Sequence, residues 1–365
     1  MAGKRGASGL SLVVGVDKPL GLSSHDVVNR CRRIFGERRV GHTGTLDPAA
    51  TGALLVCVGP AARLDAYFES DWKTYVARVA LGATTDTDDA QGRVVERLGA
   101  PDKVLDADFA QQVLQLFLGQ SLQMPPVYSA LKVGGKKACD EARKGNSIEL
   151  QPRLIEVERA CLRRIVDGYG EVVFSACGAD EKLVSWVQEA GDEPTYAGLP
   201  TWEVEFHVSK GTYIRSLARD IGLRIGCGAH LCALRRTKAG NLDLSDCVSL
   251  EALEELGTRC CLDPLRLLNV RFFYLDDDQA ARVRNGNQLR ADEVTLCQRC
   301  FPSSDVALCA CTSGVGPSHD PAMDQEVFGV VHDNKLVALY RFDGKRSNFT
   351  SRCVFPEGVS RGFGL

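Results

Sequence analysis

The sequence predicts an α/β (α+β) protein with a large first domain and a small, β-rich second domain. Strand-like and helix-like spacings of apolar residues alternate over the first 268 residues, without internal repeats. Beyond them, two strand patterns flank Asp333-Asn334, which is the spacing of a hairpin. A chain of 365 residues also favours one core domain of about 250 residues plus a smaller one.

The first predicted elements are a strand at residues 13–16 and the helix that follows it. Ser24 can cap this helix at its N-terminus. The apolar residues that share one face of the helix are Val27, Val28, Cys31, Ile34 and Phe35.

Two more helices are predicted from apolar residues three and four positions apart. The second helix is closed by Gly119, and the third begins after Gly211. The second helix is marked by Phe109, Val113, Leu116 and Phe117, and the residues that face inward in the third helix are Ile214, Leu217, Ile221 and Ile225. The other predicted strands alternate apolar and polar residues at 75–81, 154–162, 172–177, 203–208, 327–332 and 335–342.

The composition is that of a globular protein in water, with 44% hydrophobic and 25% charged residues. No window approaches the ~18 apolar residues that a membrane span needs, and the N-terminal apolar run lacks a secretory cleavage pattern. Most of the 15 cysteines stand singly in apolar runs, which predicts buried free thiols in a reducing compartment. Examples are Cys31, Cys57, Cys161, Cys177 and Cys232. We expect an intracellular, cytoplasmic protein without membrane contact, with the nucleus and the mitochondrion left open.

Lysine and arginine residues cluster in three places, although the net charge is −3. The clusters are Arg30, Arg32, Arg33, Arg38 and Arg39, then Lys132, Lys136, Lys137, Arg143 and Lys144, and finally Arg235, Arg236 and Lys238. Each cluster alone is typical of a solvated surface. Because all three flank motif-like segments and acidic residues concentrate elsewhere, together they indicate a polyanionic partner.

One loop places a single carboxylate just before a buried strand. The stretch GHTGTLDPAATG at residues 41–52 contains Asp47, and the apolar run ALLVCV follows it. Its glycines allow backbone angles that other residues avoid, and Pro48 favours an extended conformation at Asp47. Such a loop can direct one side chain into a cleft from a rigid base. The ordinary alternative is an Asx turn in which Asp47 binds nearby backbone amides.

Five motifs resemble those of the TruB family of pseudouridine synthases, in the family's order, between about residue 13 and residue 268. They are VDKPLGLSS at 16–24, GHTGTLDP at 41–48, KTY at 73–75, YSALK at 128–132 and SKGTYIR at 209–215. The last form is similar to that of the stand-alone tRNA enzymes rather than of the guide-RNA-dependent branch. More faintly, RNGN at 284–287 resembles the start of a PUA-type RNA-binding barrel.

The resemblance implies a pseudouridine synthase fold, with a mixed, largely antiparallel sheet and a catalytic cleft, followed by a small β-barrel-like domain. The implied segments are a catalytic domain at 13–268 with a thumb-like RNA-binding segment at 124–145, and a PUA-like domain at 269–355, between tails at 1–12 and 356–365. Two segments depart from the family's compact pattern. They are a polar, acidic stretch at 178–200, bounded by glycine and proline, which predicts a surface insertion, and a Cys-rich insertion at 296–322. The implied activity is isomerisation of uridine to pseudouridine in tRNA, at uridine 55 of the T-loop, without a metal or cofactor.

Three residues would carry this chemistry. The bond between sugar C1′ and base N1 must break and be remade at C5, which needs a nucleophile, and a carboxylate suffices. The resemblance assigns that role to Asp47 and leaves attack at C1′ or at C6 open. Arg215 would pair with Asp47 and keep it ionised, and Tyr75 would stack on the uracil and relay the C5 proton. By themselves, Arg215 is typical of a helix surface and Tyr75 of a core-facing strand.

Six further residues would bind the RNA, namely His42, Tyr213, Leu234, Lys132, Lys136 and Lys137. His42, in the same loop as Asp47, would occupy the place of the flipped nucleotide. Leu234 would form an apolar wall of the base pocket, with plain core as the alternative, and Tyr213 would support the pocket. The lysines would contact phosphates without reading sequence. The predicted partner is the T-stem-loop of a tRNA, with no obligate protein partner.

Two other functions stay open at this stage. One is an RNA-folding or RNA-binding factor that acts without turnover, and the other is a guide-RNA-dependent pseudouridine synthase of rRNA. The combination of Asp47, Tyr75 and Arg215 favours an enzyme, since a pure binding protein would not need all three.

Four cysteines within fifteen residues raise the question of a zinc site. Cys297, Cys300, Cys309 and Cys311 could bind Zn²⁺ tetrahedrally. Because Cys-x-Cys is a less common zinc half-site, free thiols in a flexible insertion are the preferred interpretation.

Overall fold

The computed structural model describes residues 8–68, 71–129, 131–138, 141, 144, 149–177, 195–299, 317–318 and 320–362. Within these residues there are seven α-helices, which we number α1 to α7 in chain order. They are Ser24–Phe35, Asp65–Phe68, Ala107–Gln115, Ile214–Ile225, Leu250–Leu256, Pro264–Leu268 and Asp277–Arg284. Short 3₁₀ turns lie at Gly59–Leu64, Asp102–Leu105, Leu244–Asp246, Gly257–Cys260 and Ala291–Glu293.

The described residues also form strands β1 to β22. In chain order these are Leu12–Lys18, Val40–Thr43, Ala50–Val58, Trp72–Leu81, Ala83–Thr85, Val94–Arg97, Gly119–Gln123, Lys132–Val133, Lys136–Lys137, Arg153–Val166, Val172–Ser175, Thr201–Ser209, Ala229–Ala239, Leu242–Asp243, Cys247–Val248, Cys261–Leu262, Arg271–Tyr274, Leu289–Arg290, Leu296–Cys297, Val327–His332, Lys335–Asp343 and Asn348–Ser360.

The chain divides into two units, each an α/β structure. The first unit contains Met1–Asp47, Gly52–Ser70 and Ala239–Leu365, and the second contains Pro48–Thr51 and Asp71–Lys238. Strand and helix patterns thus alternate as predicted, and the predicted α/β class is confirmed.

In the first unit, strand β1 is the centre of a mixed sheet. It is antiparallel to β3 from the pair Leu12 and Val58 to the pair Lys18 and Gly52. It also pairs in parallel with β15 and antiparallel with β16, while β2 pairs antiparallel with β3. Helix α1 covers this sheet with an apolar face, because Val27, Val28 and Cys31 are buried in one cluster with residues of β1 and β3.

The last part of the first unit is an open, curled six-stranded sheet in the order β18-β22-β21-β20-β17-β19. All its neighbouring strands are antiparallel except β17 and β20. Asp333 and Asn334 both have left-handed φ angles, of 50° and 51°, which is the geometry of the predicted two-residue hairpin. This β-rich region confirms the barrel-like second part of the predicted fold, whereas the domain boundary between residues 268 and 269 stays a prediction.

The second unit is built on five neighbouring strands in the order β11-β10-β12-β4-β13, with β7 on the other part of β10. The pairs β11–β10, β10–β12 and β12–β4 are antiparallel. The indole of Trp202 in β12 is fully buried and donates to the carbonyl oxygen of Val104 at 2.7 Å. This bond joins the sheet to the segment that leads into α3.

Two predicted helix ends need correction. Helix α1 is capped by Ser23, not by Ser24, because the Ser23 side chain accepts from the Asp26 amide and Asp26 binds back to Ser23 in a capping box. Helix α3 ends at Gln115 with Leu116 as its C-cap, so Gly119 does not close it. Gly119 instead begins strand β7 with φ 86°.

The thiols are more varied than the sequence predicted. Cys31 and Cys57 are buried free thiols, as expected, whereas Cys161 and Cys177 are exposed. Cys161 alternates outward on β10, and Cys177 lies beyond the end of β11. No helix within the described ranges is both long and apolar enough to span a bilayer.

Candidate active site

The loop that carries Asp47 is anchored by a buried serine of the same unit. Ser24, at the start of α1, is 2% exposed. Its hydroxyl accepts a hydrogen bond from the amide of Leu46 at 2.9 Å and donates one to the carbonyl of Leu46 at 3.0 Å. Gly44 has φ 66°, a conformation that favours glycine. The half-buried Asp47 follows directly after this double contact, so its backbone starts from a fixed point.

His42 lies in a strand and not in a loop, which corrects the prediction. It belongs to β2, where it is directly opposite Val56 of β3, and its side chain is half-buried. The strand pairs with β3 over its whole length, from Val40 opposite Val58 to Thr43 opposite Leu55. A strand backbone holds His42 more firmly than a free loop would.

Tyr75 lies in β4 of the second unit, opposite Phe206 of β12, and is 8% exposed. The apolar side predicted for this strand is buried, but Val76 and Ala80 on the other face are buried as well. The strand is therefore covered on both faces. Alternation alone does not reveal that, since the second face also carries the charged Arg78.

Arg215 is 6% exposed, which is rare for a guanidinium and requires several partners. It is the second residue of α4. Its Nη1 lies 3.5 Å from Oδ2 of Asp89 and donates to the carbonyl of Thr87 at 3.2 Å. Its Nη2 donates to the carbonyl of Tyr128 at 3.0 Å. The helix-surface alternative is therefore wrong for Arg215.

Asp89 is a functional candidate that the sequence analysis missed. Its side chain is 9% exposed, and its Oδ1 accepts from the Thr87 hydroxyl at 2.6 Å and from the Gln91 amide at 3.0 Å. These bonds leave Oδ2 directed at Arg215. In the sequence, Asp89 belongs to the acidic run DTDD at 86–89. That run indicates a local concentration of negative charge but does not single out one carboxylate.

Tyr213 is the N-cap residue of α4, and its backbone is fixed by a buried amide side chain. The Tyr213 amide donates to Oε1 of Gln123 at 2.8 Å, and Nε2 of Gln123 donates back to the Tyr213 carbonyl at 3.1 Å. Gln123 is 3% exposed. The helix that carries Arg215 thus begins at a defined position on β7.

Leu234 lies in β13 and is 9% exposed. Its carbonyl accepts from the hydroxyl of Thr51 at 3.4 Å, and Nη1 of Arg235 donates to the same hydroxyl at 3.2 Å. Arg236, in the third basic cluster, is 1% exposed, so this cluster is only partly a solvated surface. Thr51 is thereby held next to Leu234 and Arg235 within the second unit.

Comparison with known proteins identifies this arrangement. Residues 32–176 match the family described as TruB family pseudouridylate synthase (N terminal domain), and residues 215–265 match the tRNA pseudouridylate synthase B C-terminal domain. A protein named tRNA pseudouridine synthase B from Deinococcus radiodurans is 41% identical over 282 residues, which are 76% of this chain and 88% of the relative. The chain belongs to the TruB family of pseudouridine synthases.

Other comparisons agree with the TruB assignment. A tRNA pseudouridine synthase B from Prochlorococcus marinus (strain NATL2A) is 40% identical, covering 72% of each chain. Among solved structures, one titled "Structure of H/ACA RNP bound to a substrate RNA containing 2'-deoxyuridine" is 20% identical, with a TM-score of 0.57 and coverage of 96% of this chain and 86% of that one. A Cbf5-Nop10-Gar1 complex gives a TM-score of 0.58 at 20% identity. These structures confirm the predicted pseudouridine synthase fold.

In this TruB protein the three predicted RNA-binding lysines lie on a small hairpin. Strands β8 and β9 place Lys132 opposite Lys137 and Val133 opposite Lys136. The turn is Gly134-Gly135, with φ angles of 58° and 83°, as two-residue hairpins require. The backbone therefore concentrates three lysines within two short paired strands.

Two predictions on the TruB chain fall outside the described residues. Cys297 is buried in β19, but Cys300, Cys309 and Cys311 lie outside them, and so does most of the acidic insertion, residues 178–194. The part of the chain that the structure describes holds no group of three or more metal-ligating side chains suited to an ion. The pairing of Arg215 with Asp47 joins residues of different units and stays a prediction.

Proposed function

We propose that the protein isomerises uridine to pseudouridine in tRNA, at uridine 55 of the T-loop, by base flipping and nucleophilic catalysis by Asp47. The observation that carries the proposal is the 41% identity to a tRNA pseudouridine synthase B over 88% of that protein. The matched regions include Asp47, Tyr75 and Arg215.

The reaction is balanced without an outside reagent. The C1′–N1 bond breaks, a C1′–C5 bond forms, and the proton that leaves C5 is replaced by one that N1 gains. A carboxylate that attaches to one fragment can hold it while the base turns, and attack at C1′ and attack at C6 both satisfy this balance. The anchored, half-buried Asp47 has the chemistry for this role.

Arg215 supplies the positive charge that such a carboxylate needs. A desolvated aspartate is nucleophilic only while it is ionised, and a guanidinium at hydrogen-bonding distance favours the ionised form. The contacts of Arg215 with Thr87, Asp89 and Tyr128 fix the plane of its guanidinium. We assign Asp89 a positioning role, because it acts on Arg215.

The remaining residues suit an RNA whose target base has left the stack. Tyr75 offers an aromatic face for stacking on the flipped uracil, and Leu234 offers an apolar wall. His42 would occupy the vacated place in the T-loop. Lys132, Lys136 and Lys137 would contact backbone phosphates, which sets the register of the RNA without reading its bases.

The test is to map pseudouridine in an unmodified tRNA transcript after incubation with the purified protein alone. We expect pseudouridine at position 55 and release of tritium from a transcript labelled at uracil C5. A matched transcript with cytidine at position 55 should release none. Binding without tritium release would favour an RNA-folding factor, and activity only after addition of small cellular RNA would favour a guide-dependent enzyme.

A further inference from the structure

Helix α4 carries two arginines that each connect the same two segments of the second unit. Arg215 and Arg219 are four residues apart and therefore lie on one side of the helix. We name residues 85–92 the acidic loop and residues 123–129 the thumb base, since the lysine hairpin follows the latter. Nη1 of each arginine contacts the acidic loop, and Nη2 of each donates to a carbonyl of the thumb base.

The contacts of Arg219 are short and directional. Its Nη1 lies 3.0 Å from Oδ2 of Asp88, and its Nη2 donates to the Met124 carbonyl at 3.0 Å. Its Nε also donates to Oδ1 of Asp220 at 3.0 Å. The side chain of Arg219 is 23% exposed and that of Asp88 is 18% exposed, so water screens this pair only partly.

Asp88 is held in an unusual backbone conformation by its neighbours. Its φ is 59°, in the left-handed region that asparagine and aspartate tolerate better than most residues. Its carbonyl accepts from the Leu231 amide at 3.0 Å, and the Ala90 amide donates to the Leu231 carbonyl at 2.9 Å. These two backbone bonds attach the acidic loop to β13, while the Asp88 carboxylate accepts from Arg219.

The thumb base is stiff between its two anchored carbonyls. The Met124 carbonyl accepts from both Arg219 and the Ser216 hydroxyl, the latter at 2.9 Å. Two buried prolines, Pro125 and Pro126, follow it, and proline fixes φ near −65°. Because the chain between Met124 and Tyr128 has little freedom, fixing the Met124 carbonyl also constrains the carbonyl that Arg215 uses.

We propose that Arg219 and Asp88 form a positioning pair that locks the thumb base and the acidic loop onto α4, and thereby sets the orientation of the Arg215 guanidinium when the thumb engages RNA. The inference rests on the proposed function of Arg215. Arg219 and Asp88 are positioning residues, which act on the reaction through Arg215. When the thumb binds RNA, a shift of the thumb base then moves the Met124 and Tyr128 carbonyls and so changes the orientation of the Arg215 guanidinium.

The experiment compares Arg219→Gln, Asp88→Asn and the double variant with the wild type. Asparagine keeps the left-handed backbone of residue 88. Burial raises the pKa of the Asp88 carboxyl, and the nearby Arg219 guanidinium opposes this increase. Arg224→Gln is the matched control, because Arg224 is exposed on the same helix.

The readouts are the single-turnover rate of pseudouridine formation at saturating tRNA, the Kd for tRNA, and the melting temperature. Misplacement of a catalytic group commonly lowers a rate by about ten- to a hundredfold. We expect a rate loss of that size in each single variant, with the Kd within about threefold, because the lysine hairpin is intact. The double variant should be no slower than Arg219→Gln, since the two residues act as one unit.

Three results would overturn the pair. The first is an unchanged single-turnover rate in folded Arg219→Gln. The second is a double variant whose rate loss is the product of the two single losses. The third is a rate loss in each variant that equals its fraction of unfolded protein. If Arg219→Gln does not fold, Arg219→Lys replaces it. A lysine can reach Asp88 or the Met124 carbonyl but cannot span both as a fork does, so we expect an intermediate rate. A wild type that forms no pseudouridine would refute the proposed function itself, which separates the two failures.

Discussion

Ser24 and Leu46 exchange two hydrogen bonds, at 2.9 and 3.0 Å, through one hydroxyl and one backbone residue. Both residues are at most 3% exposed, so water does not replace these bonds when one is lost. Leu46 is the residue before Asp47. The serine therefore holds the backbone at the residue before Asp47, the proposed nucleophile, although Ser24 itself is outside the predicted chemistry.

The first prediction concerns this anchor. Ser24→Ala leaves the buried amide and carbonyl of Leu46 without their partner, which destabilises the fold by about 1–3 kcal/mol. It should also lower the single-turnover rate by about tenfold or more, because Asp47 is no longer held in place. Ser23→Ala is the control next to it. Loss of that helix cap costs about 1 kcal/mol and should leave the rate unchanged. Equal single-turnover rates for the two variants would show that Ser24 does not hold Asp47 in place.

The second prediction concerns the guanidinium of Arg215. A lysine at this position cannot make the forked contacts with Thr87, Asp89 and Tyr128. Removing a buried charge partner commonly costs ~3 kcal/mol, which corresponds to a rate loss of at least about a hundredfold. Single-turnover kinetics of Arg215→Lys, with the exposed Arg224→Lys as control, measures this loss. A near-normal rate would place Arg215 outside the catalytic machinery.

The third prediction concerns the lysine hairpin. Replacing Lys132, Lys136 and Lys137 by glutamine should weaken tRNA binding and flatten its salt dependence, by up to ~0.7 in the slope of log affinity against log salt per lost phosphate contact. Turnover at saturating tRNA should suffer less than affinity. The triple arginine variant, which keeps the charge, should restore most of the slope. If the glutamine variant keeps the wild-type affinity and slope, the RNA path lies elsewhere, with the Arg30–Arg39 cluster as the next candidate.

The fourth prediction concerns pH and stability. His230 is fully buried, its ring nitrogens bond to the Ala83 carbonyl and the Thr195 hydroxyl at 3.0 Å each, and burial lowers the pKa of its imidazole. As the pH falls below the unfolded value of about 6.5, the unfolded chain binds a proton that the folded chain resists. The contribution of His230 to the free energy of unfolding is therefore complete above that pH. It is lost as the pH falls toward the lowered folded pKa, by at most about 1.4 kcal/mol per pH unit.

Urea unfolding between pH 7.5 and pH 5 measures this contribution as a difference between variants. His230→Gln should lose the part of the acid destabilisation that His230 causes. The exposed His25→Gln is the control and should follow the wild type. A His230→Gln profile parallel to the wild type would show that the buried imidazole does not resist protonation.

Much of the fold could be predicted because its periodic segments agree with their surroundings. The β1 and β12 patterns lie within the observed strands, and Asp333-Asn334 forms the expected hairpin. The errors occur where neighbouring residues compete for one role. Ser23 and Ser24 both suit an N-cap. In the structure Ser23 caps the helix, and the Ser24 hydroxyl binds Leu46, which is distant in sequence.

The site was only partly predictable for a related reason. Asp47, Tyr75 and Arg215 stand in motifs whose resemblance could be recognised, and the buried contacts of Arg215 agree with its assigned importance. Asp88, Asp89 and Arg219 could not be selected, because their value depends on contacts between segments far apart in sequence. A run of acidic residues and a helix arginine are each typical of solvated surfaces until the fold places them at 3.0 to 3.5 Å from one another.

The most direct test of the account is pseudouridine formation by Asp47→Asn under conditions in which it is saturated with tRNA. The amide keeps the size and much of the hydrogen bonding of the carboxylate but loses its charge and nucleophilicity. The account predicts tRNA affinity within several-fold of the wild type and no pseudouridine after prolonged incubation. Measurable turnover by a sequence-verified Asp47→Asn protein would contradict it.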